Sequence, residues 1–374
     1  MATVGDIARA IEEFAPLSWQ ESYDNAGLQL GDRSREATGA LLCIDVTEEV
    51  VDEAIARNVN LIVSHHPLLF KGVKSLTGKS AVERTVIKAI RNDIAVYSAH
   101  TNLDNAPGGV NYRIAEILGL QNVRILDPVH GLLMKLVTYV PVADAESVRR
   151  ALFSAGAGHI GNYDCCAFSQ QGSGSFRAGE GAHPYCGSIG EIHHEPEERI
   201  EVILPAYLQS AVVSALLSAH PYEEPAYDLI ALQNSWQNVG GGIIGELPCA
   251  EDETELLQKI KSGFSAGCLK HSRLLNRPVR TVAVCGGAGA SLASCAVAAG
   301  ADLFLTGEIR YHDYFEYDGR ILLAEIGHYE SEQFTKDIFC DIIQKKFPTF
   351  AIHYTKVETC LLYTSPSPRD RSLS

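Results

Sequence analysis

The sequence predicts an α/β fold with two similar α/β halves and mainly parallel sheets, interrupted by a ferredoxin-like α+β insert. Three observations support this fold class. Short, continuously apolar segments alternate with segments of helical periodicity over residues 39–120, as in buried parallel strands joined by helices. The same alternation returns over residues 280–347. Between these regions lie two smaller strand–helix–strand units, which are the content of a ferredoxin-like module.

The first half is expected to contain three buried strands, each followed by a helix. The predicted strands are residues 39–45, 61–64 and 94–99. The predicted helices are residues 47–58, 80–92 and 108–120. In the first of these helices Val50, Ala54 and Ile55 recur at helical spacing, so one apolar face can pack on the sheet.

The strands and helices of the insert and of the second half are predicted from the same apolar and helical patterns. In the insert we expect strands at 133–141, 199–205 and 226–232, helices at 143–156 and 206–220, and a Gly-rich segment at 170–190. In the second half we expect strands at 280–285, 301–307 and 320–327 and a long amphipathic helix at 328–347. The predicted domains are therefore residues 1–128, 129–235 and 236–359. Residues 360–374 are rich in Ser, Pro and Arg without periodicity, which indicates a disordered or non-native tail.

Composition excludes several classes of protein. The chain has 374 residues, 46% of them hydrophobic, and a net charge of −15, whereas nucleic-acid-binding proteins usually carry a basic face. We therefore expect no nucleic-acid partner, but a phosphorylated small molecule is compatible because bound metal ions can make a site locally positive. No apolar run approaches the roughly 20 residues of a membrane span. Ten cysteines without a CxxC pair and an N-terminus unlike a signal peptide predict a cytoplasmic protein with free thiols and no membrane contact.

Polar side chains with metal-binding chemistry follow four of the predicted strands. Ligand sites of parallel α/β sheets lie beyond the carboxyl ends of the strands. The residues found there, in chain order, are His65 and His66; His100, Asn102 and Asp104; Thr306, Glu308 and His312; and His328, Glu330 and Glu332. Because imidazoles and carboxylates dominate this set, it indicates a metal site.

Two spacings favour a pair of ions. His328 and Glu332 are four residues apart at the start of a helix, so both lie on one face. Adjacent His65 and His66, at a turn beyond the strand end, can diverge toward two neighbouring ions. Such a ligand set leaves open positions, as a catalytic site needs, and a carboxylate can bridge ions about 3.5–4 Å apart. The alternative interpretation is that the histidines are ordinary hydrogen-bonded residues and that Glu330 and Glu332 form a solvated helix face.

Two further motifs each leave two interpretations open. The segment HPYEEP (residues 220–225), with His183 and Tyr185 upstream, is either a second ligand or metal site or a turn fixed by its prolines. The segment CGGAGAS (residues 285–291) is either an anion-binding turn at a helix N-terminus or a tight turn that permits close packing. It lacks the Lys-Ser/Thr of a phosphate-binding P-loop.

Five motifs recur in a known order along the chain. They are SYDNAGLQLGD (22–32), VSHHPLLFKGVKSL (63–76), SAHTNLDNAPGGVN (98–111), LFLTGEIRYHDYF (303–315) and GHYESE (327–332). Together they resemble the motifs of the Nif-three-like dinuclear metal centre family, the homologues of GTP cyclohydrolase I type 2. The resemblance extends to about residue 359. The middle segment, with GNYDCCAF, GSGSFR and HPYEEPAYDL, resembles the inserted PII/CutA-like domain of the long bacterial form.

The resemblance implies a metal centre and an assembly. It implies two divalent ions (Zn, Fe, Mn or Co) per subunit, held by His65, His66, Asp104, His328 and Glu332, with Glu332 bridging. It also implies a ring-shaped homohexamer whose metal sites face an internal cavity.

The activity that the resemblance implies is that of a metal-dependent hydrolase acting on a small-molecule substrate. The reaction of the GTP cyclohydrolase I type 2 kind converts GTP to dihydroneopterin triphosphate plus formate, and the ions would act as Lewis acid and activate water. We predict that His100, Glu308 or His312 transfers protons. Two alternatives stay open: a hydrolase of another phosphorylated small molecule, and a non-catalytic hexameric metal-binding or regulatory protein.

Overall fold

We describe the protein from a computed structural model, whose description covers residues 2–362. The chain forms two compact units. Unit 1 combines the residues up to Asp127 with those from Asn238 onward, and unit 2 is Pro128–Gln237. Most of the predicted tail, residues 363–374, lies outside the described residues.

Strands and α-helices alternate through much of the described chain. The strands are β1 Gly27–Leu30, β2 Ala40–Cys43, β3 Leu61–Ser64, β4 Ala95–Ser98, β5 Gln121–His130, β6 Leu133–Pro141, β7 Ala167–Arg177, β8 Ile192–Pro205, β9 Tyr227–Ala231, β10 Ser235–Glu251, β11 Lys270–His271, β12 Val279–Cys285, β13 Leu303–Thr306, β14 Leu322–Glu325 and β15 Ile352–Tyr354. The helices are α1 Val4–Phe14, α2 Glu48–Ala56, α3 Ala81–Arg91, α4 Thr101–Asp104, α5 Val110–Ile117, α6 Ala145–Ser154, α7 Gln209–Ala219, α8 Glu253–Gly263, α9 Ala293–Ala298, α10 Asp313–Glu316, α11 His328–Glu332 and α12 Thr335–Lys346.

The first sheet of unit 1 consists mainly of parallel strands. Its order is β1-β4-β3-β2-β15, and only the edge strand β1 pairs antiparallel. Every residue of β2, β3 and β4 is buried, as in parallel sheets covered by helices. Ser64 at the end of β3 pairs with Ser98 at the end of β4. The residues that follow these two strands therefore meet at one edge of the sheet.

The second sheet of unit 1 has the order β11-β14-β13-β12-β10-β5. Its central strands β12, β13 and β14 are parallel, whereas β10 pairs antiparallel with β12, and β11 pairs antiparallel with β14. Cys285, Thr306 and Glu325 pair in register at the carboxyl ends of these three strands. The turns after them therefore lie side by side, and they include residues 286–289, 307–308 and 326–332.

Unit 2 contains one antiparallel sheet of order β7-β8-β6-β9 and the two helices α6 and α7. The elements follow one another as strand, helix, strand, strand, helix, strand. Leu136, Leu152, Ile200 and Leu216 lie in a core between the helices and the sheet, since apolar side chains face one side of each element. The likeness of this unit to PII or CutA proteins stays a prediction.

The elements predicted from alternating apolar segments are confirmed as strands and helices, but two regions differ. Strand β7 runs into the segment predicted only as Gly-rich, because β8 pairs with it from Ala167 to Arg177. The long helix predicted at 328–347 is divided into α11 and α12. Where the two helices meet, the Thr335 hydroxyl donates to the carbonyl of Glu332 at 2.5 Å. Among the described helices, none combines the length and the apolar character that crossing a lipid bilayer requires.

Candidate metal centre

The carboxyl end of β3 places two histidines side by side. The main-chain N–H groups of His65 and His66 donate to the carbonyl oxygens of Cys43 and Ile44, at 3.3 and 2.9 Å. These bonds hold the turn against the segment that follows β2. His65 is fully buried, whereas the His66 side chain is 22% exposed. The planes of the two rings are tilted by 39°, and each ring meets different partners.

His65 presents its Nε2 atom to two carboxylates. Its Nδ1 atom lies 2.9 Å from the Ala99 carbonyl oxygen, which accepts an N–H and so leaves the lone pair on Nε2. Nε2 is 3.6 Å from both Asp104 Oδ1 and Glu332 Oε1. His65 Nε2 and Asp104 Oδ1 are buried without a hydrogen-bond partner, which is costly. A cation bound by both atoms would remove that cost, so these residues fit a metal ion.

His66 and His328 point their Nε2 atoms at the other oxygen of Glu332. The distances to Glu332 Oε2 are 2.9 and 3.3 Å. On the far side of each ring, Nδ1 meets a carboxylate: His66 Nδ1 is 2.7 Å from Asp45 Oδ1, and His328 Nδ1 is 2.9 Å from Glu308 Oε1. A carboxylate behind an imidazole is the arrangement that orients metal-ligating histidines and raises their basicity.

The charges of the cluster depend on one another. Burial lowers the pKa of His66, but its hydrogen bonds to Asp45 and Glu332 outweigh burial and raise the pKa to about 10. Burial is likewise outweighed at His328, whose bond to Glu332 raises its pKa to about 9. The imidazoles hold the pKa of Glu332 well below its ordinary value despite burial, whereas burial raises the pKa of Asp104. The Glu332 carboxylate therefore requires positive charge around it, and protons or a metal cation can supply that charge.

The ligand atoms form two groups of three that share one carboxylate. His65, Asp104 and Glu332 make one group, and His66, His328 and Glu332 make the other. Within each group the ligand atoms lie within 4.8 Å of one another, so each group could hold a metal ion. The structure thus brings together all five residues that the family resemblance implies as ligands. The adjacent histidines belong to different groups of the pair that shares Glu332, whereas a further group, His65, His66 and His100, contains both.

Comparison with known proteins shows the family to which this chain belongs. A sequence model described as Duf34/NIF3 (NGG1p interacting factor 3) matches residues 2–365. The chain belongs to the Duf34/NIF3 family. A relative from Halalkalibacterium halodurans, named GTP cyclohydrolase 1 type 2 homolog, is 38% identical over 307 residues, which is 82% of each chain. A relative of the same name from Bacillus subtilis is 37% identical over 327 residues, 86% of this chain and 87% of the relative.

A solved structure is also similar to this Duf34/NIF3 protein. The Bacillus cereus protein related to NIF3 superposes with a TM-score of 0.85 at 37% identity, covering 97% of this chain and 99% of the other. The family resemblance drawn from the motifs and the α/β fold class are both confirmed by these findings.

Two carboxylates of the Duf34/NIF3 site are missed by sequence reasoning. Asp45 is the last residue of a predicted strand, so the same search of strand ends would have found it. Asp24 precedes β1, where that rule does not look. Its carboxylate meets His100 Nδ1 at 2.9 Å and accepts the Thr101 N–H at 3.0 Å. Burial opposes ionisation of Asp24, but these bonds outweigh it and lower its pKa to about 2.

The three predicted proton-transfer residues differ in their position relative to the ligand cluster. His100 offers a nitrogen within 4.8 Å of those of His65 and His66. Glu308 is bonded to His328, and its side chain is 55% exposed. His312 is exposed, and its ring lies 5.4 Å from that of Tyr311. It belongs to none of the metal-ligand groups found among residues 2–362.

The Gly-rich segment at 285–291 forms a tight turn against the cluster. The N–H groups of Gly286, Gly287 and Gly289 donate to Asn111 Oδ1, Ser331 Oγ and Thr306 Oγ1, at 2.9, 2.9 and 3.1 Å. These groups are therefore engaged inside the protein, which favours the close-packing interpretation over anion binding. Gly287 has a φ of +58°, and a Cβ atom there would overlap Glu332 Oε1.

Proposed function

We propose that this protein is a dinuclear metal-dependent hydrolase of the GTP cyclohydrolase 1 type 2 kind. The observation that carries the proposal is the pair of three-residue ligand groups that share Glu332. His65, Asp104 and Glu332 would hold one divalent ion, and His66, His328 and Glu332 the second. Nitrogen and carboxylate ligands suit Zn, Fe, Mn or Co. Two such ions, when bound, act as Lewis acids and make water a stronger nucleophile at neutral pH.

The cluster is open enough for a substrate to reach it. The side chains of Asp104, His66 and His328 are 23%, 22% and 29% exposed. Beside them Phe70 lies 6.1 Å from the ring of His100 and 6.4 Å from the ring of Tyr23. Both aromatic side chains are exposed, so they offer flat surfaces on which a planar base can stack. Together with the name of the relatives, this surface supports GTP as the proposed substrate.

Within this proposal His100 is the residue that moves a proton. Its ring lies 5.3 and 5.5 Å from the rings of His65 and His66, so a substrate at the cluster is within its reach. The Asp24 carboxylate, 2.9 Å from Nδ1, holds the ring in position. Glu308 serves instead to orient His328.

The reaction is tested with protein loaded separately with Zn²⁺, Mn²⁺, Fe²⁺ and Co²⁺ and incubated with GTP. We expect formate and dihydroneopterin triphosphate in equal amounts. His100→Gln is expected to lower turnover about 10²–10⁴-fold while the bound metal is unchanged. His312→Gln tests the competing proton-transfer candidate and should leave turnover close to that of the parent. No formate from any preparation shown to contain metal would contradict the cyclohydrolase proposal and favour a non-catalytic metal-binding protein.

Three other features belong to the same proposal. We propose a homohexamer, a cytoplasmic location, and a distinct inserted domain at residues 129–235. The first is tested by the mass of the metal-loaded protein in solution.

Removing the carboxylate behind His66 is expected to weaken one metal ion more than the other. Asp45 accepts from His66 Nδ1 at 2.7 Å, and loss of such an outer partner typically costs 10–100-fold in metal affinity. In Asp45→Ala we therefore expect the ion of the His66 group to be lost first when a chelator competes, while the ion of the His65 group is kept. Asp52→Asn, at an exposed carboxylate of α2, is the control and should match the parent. Equal weakening of both ions would contradict the assignment of His66 to a separate ion.

A further inference from the structure

Strand β8 of unit 2 presents a row of metal-binding side chains on one face. Side chains alternate between the two faces of a strand. His193, Glu195 and Glu197 are partly or fully buried, whereas the residues between them are exposed. His193 Nε2 lies 2.7 Å from Glu195 Oε2. An imidazole and a carboxylate therefore meet on the inner face of this strand.

Cys186 reaches the same face from the loop before β8. The loop folds back because Ala178 pairs with Ile189 in an isolated bridge and the Gly190 N–H donates to the Ala178 carbonyl at 2.8 Å. The ligand atoms of Cys186, His193 and Glu195 all lie within 4.8 Å of one another. A thiol, an imidazole and a carboxylate are thus within reach of a single ion whose bonds are about 2.0–2.3 Å long.

The ring of His193 is held in position before any ion binds. The ring of Phe176 lies 5.4 Å from it. On another side the backbone at Gly187 comes close, since a Cβ atom there would lie 2.8 Å from His193 Cβ and Cγ. Gly187 also has a φ of +79°, which favours glycine. A ligand whose side chain is locked by packing binds a metal with a smaller loss of conformational freedom.

The charge of this face also favours a cation. Among the described residues neither Glu195 nor Glu197 forms an ion pair with Lys or Arg; Glu195 meets the His193 imidazole, and Glu197 accepts from the Tyr222 hydroxyl at 2.9 Å. Arg149 is paired with Glu198 and Arg199 with Glu201. Neither carboxylate therefore has a Lys or Arg side chain that a metal cation would have to displace.

We propose that Cys186, His193 and Glu195 form a zinc site in unit 2, with all of its protein ligands drawn from that unit. Three protein ligands leave one position of a tetrahedral zinc ion open, as in catalytic zinc sites. The Tyr222 hydroxyl lies 3.8 Å from Cys186 Sγ, and Tyr222 and Phe176 also line a cavity of about 630 Å³. A water molecule is the ligand that the open position would take.

The thiolate ligand makes this site distinguishable by spectroscopy from the proposed dinuclear centre. The five ligands of that centre offer only nitrogen and oxygen, whereas Cys186 offers sulfur, which selects softer metals such as zinc. Cobalt(II) bound by a thiolate absorbs in the near ultraviolet through sulfur-to-metal charge transfer, and cobalt held by nitrogen and oxygen does not show that band. The band therefore reports on the Cys186 site even when the dinuclear centre is filled.

The test uses the full chain, titrated with Co²⁺ and, separately, with Zn²⁺. We expect the charge-transfer band in the parent protein, its loss in Cys186→Ser and in His193→Ala, and a zinc content lower by one ion per chain in both variants. Cys166→Ser is the matched control, because Cys166 is a partly buried free thiol of the same unit outside the ligand group; it should keep the band and the zinc. In Glu332→Gln the band should also persist.

Three results would overturn the zinc site. They are the absence of the band in the parent protein, its survival in Cys186→Ser, and an equal loss in Cys166→Ser. Since Cys186→Ser replaces sulfur by oxygen at a partly exposed position, the far-ultraviolet circular dichroism of the variant should match that of the parent, so a lost band reports on the ligand and not on the fold.

Discussion

Glu332→Gln is expected to abolish the binding of both divalent ions and not of one alone. Glu332 is the only residue shared by the two ligand groups. Its Oε1 atom lies 3.6 Å from His65 Nε2, and its Oε2 atom lies 2.9 Å from His66 Nε2. An amide offers one carbonyl oxygen and no negative charge, so it cannot serve two cations. Because a carboxylate bridge also screens two positive ions from each other, losing it should release both.

The measurement is the metal content of protein purified without added metal and after loading. We expect a fall from two ions per chain at the dinuclear centre to none, with the loss of any GTP turnover. Glu330→Gln is the matched control, since Glu330 lies on the same short helix and belongs to no ligand group among the described residues. If Glu332→Gln kept one tightly bound ion, the bridging role would be wrong, although a mononuclear site would remain.

Glu332 is buried, with 2% of its surface exposed, so the folding of the variant has to be checked separately. Gln has nearly the shape of Glu and can still accept from one imidazole and donate elsewhere. Because the imidazoles stabilise the ionised carboxylate in the metal-free protein, the variant is expected to unfold at a moderately lower temperature than the metal-free parent. A far lower unfolding temperature would mean that the carboxylate stabilises the fold as well as the metals.

The proposed ligands are among the residues that the strand-end rule selects because of how parallel sheets are built, whereas the choice of those five from the larger set is implied by the family resemblance. β3, β4 and β14 are short, continuously apolar and buried at nearly every residue, so their ends are visible in the sequence. The polar residues after β3 and β4 then share one edge of the first sheet, and those after β14 lie at an edge of the second sheet. The strand pattern does not predict that these two edges meet, and their meeting is what brings Glu332 to His65.

Other features depend on information that local sequence does not contain. Asp24 and Asp45 meet imidazoles because of the direction in which His100 and His66 turn their rings, and no spacing rule specifies ring direction. Strand β15 pairs with β2 across most of the chain length, and its three residues carry too little periodicity to predict the partner. β7 is Gly-rich and exposed for most of its length, so only its pairing with β8 makes it a strand.

Gly287→Ala is expected to disrupt the proposed metal centre although it replaces none of the proposed ligands. Gly287 lies in the turn after β12 with a φ of +58°, and a Cβ atom there would overlap Glu332 Oε1 and lie 3.3 Å from His328 Nε2. The Glu332 carboxylate, which is the proposed bridge, would have to turn away from its position between the two groups. We expect metal affinity to fall by more than about 100-fold, which is the upper end of losses caused by outer partners of a site.

The left-handed backbone itself strains an alanine by roughly 1–2 kcal/mol, so the control must share that strain. Gly300 has a φ of +77° after helix α9, and a Cβ atom there would meet nothing within 4 Å. Gly300→Ala should therefore lower the free energy of unfolding by this backbone strain alone, less than Gly287→Ala does, and leave the metal affinity unchanged. Calorimetric unfolding of metal-free protein gives the first quantity, and chelator competition gives the second. If both variants bound metal as tightly as the parent, then Glu332 could move freely in this turn, and the close packing at Gly287 would have no role in positioning the bridge.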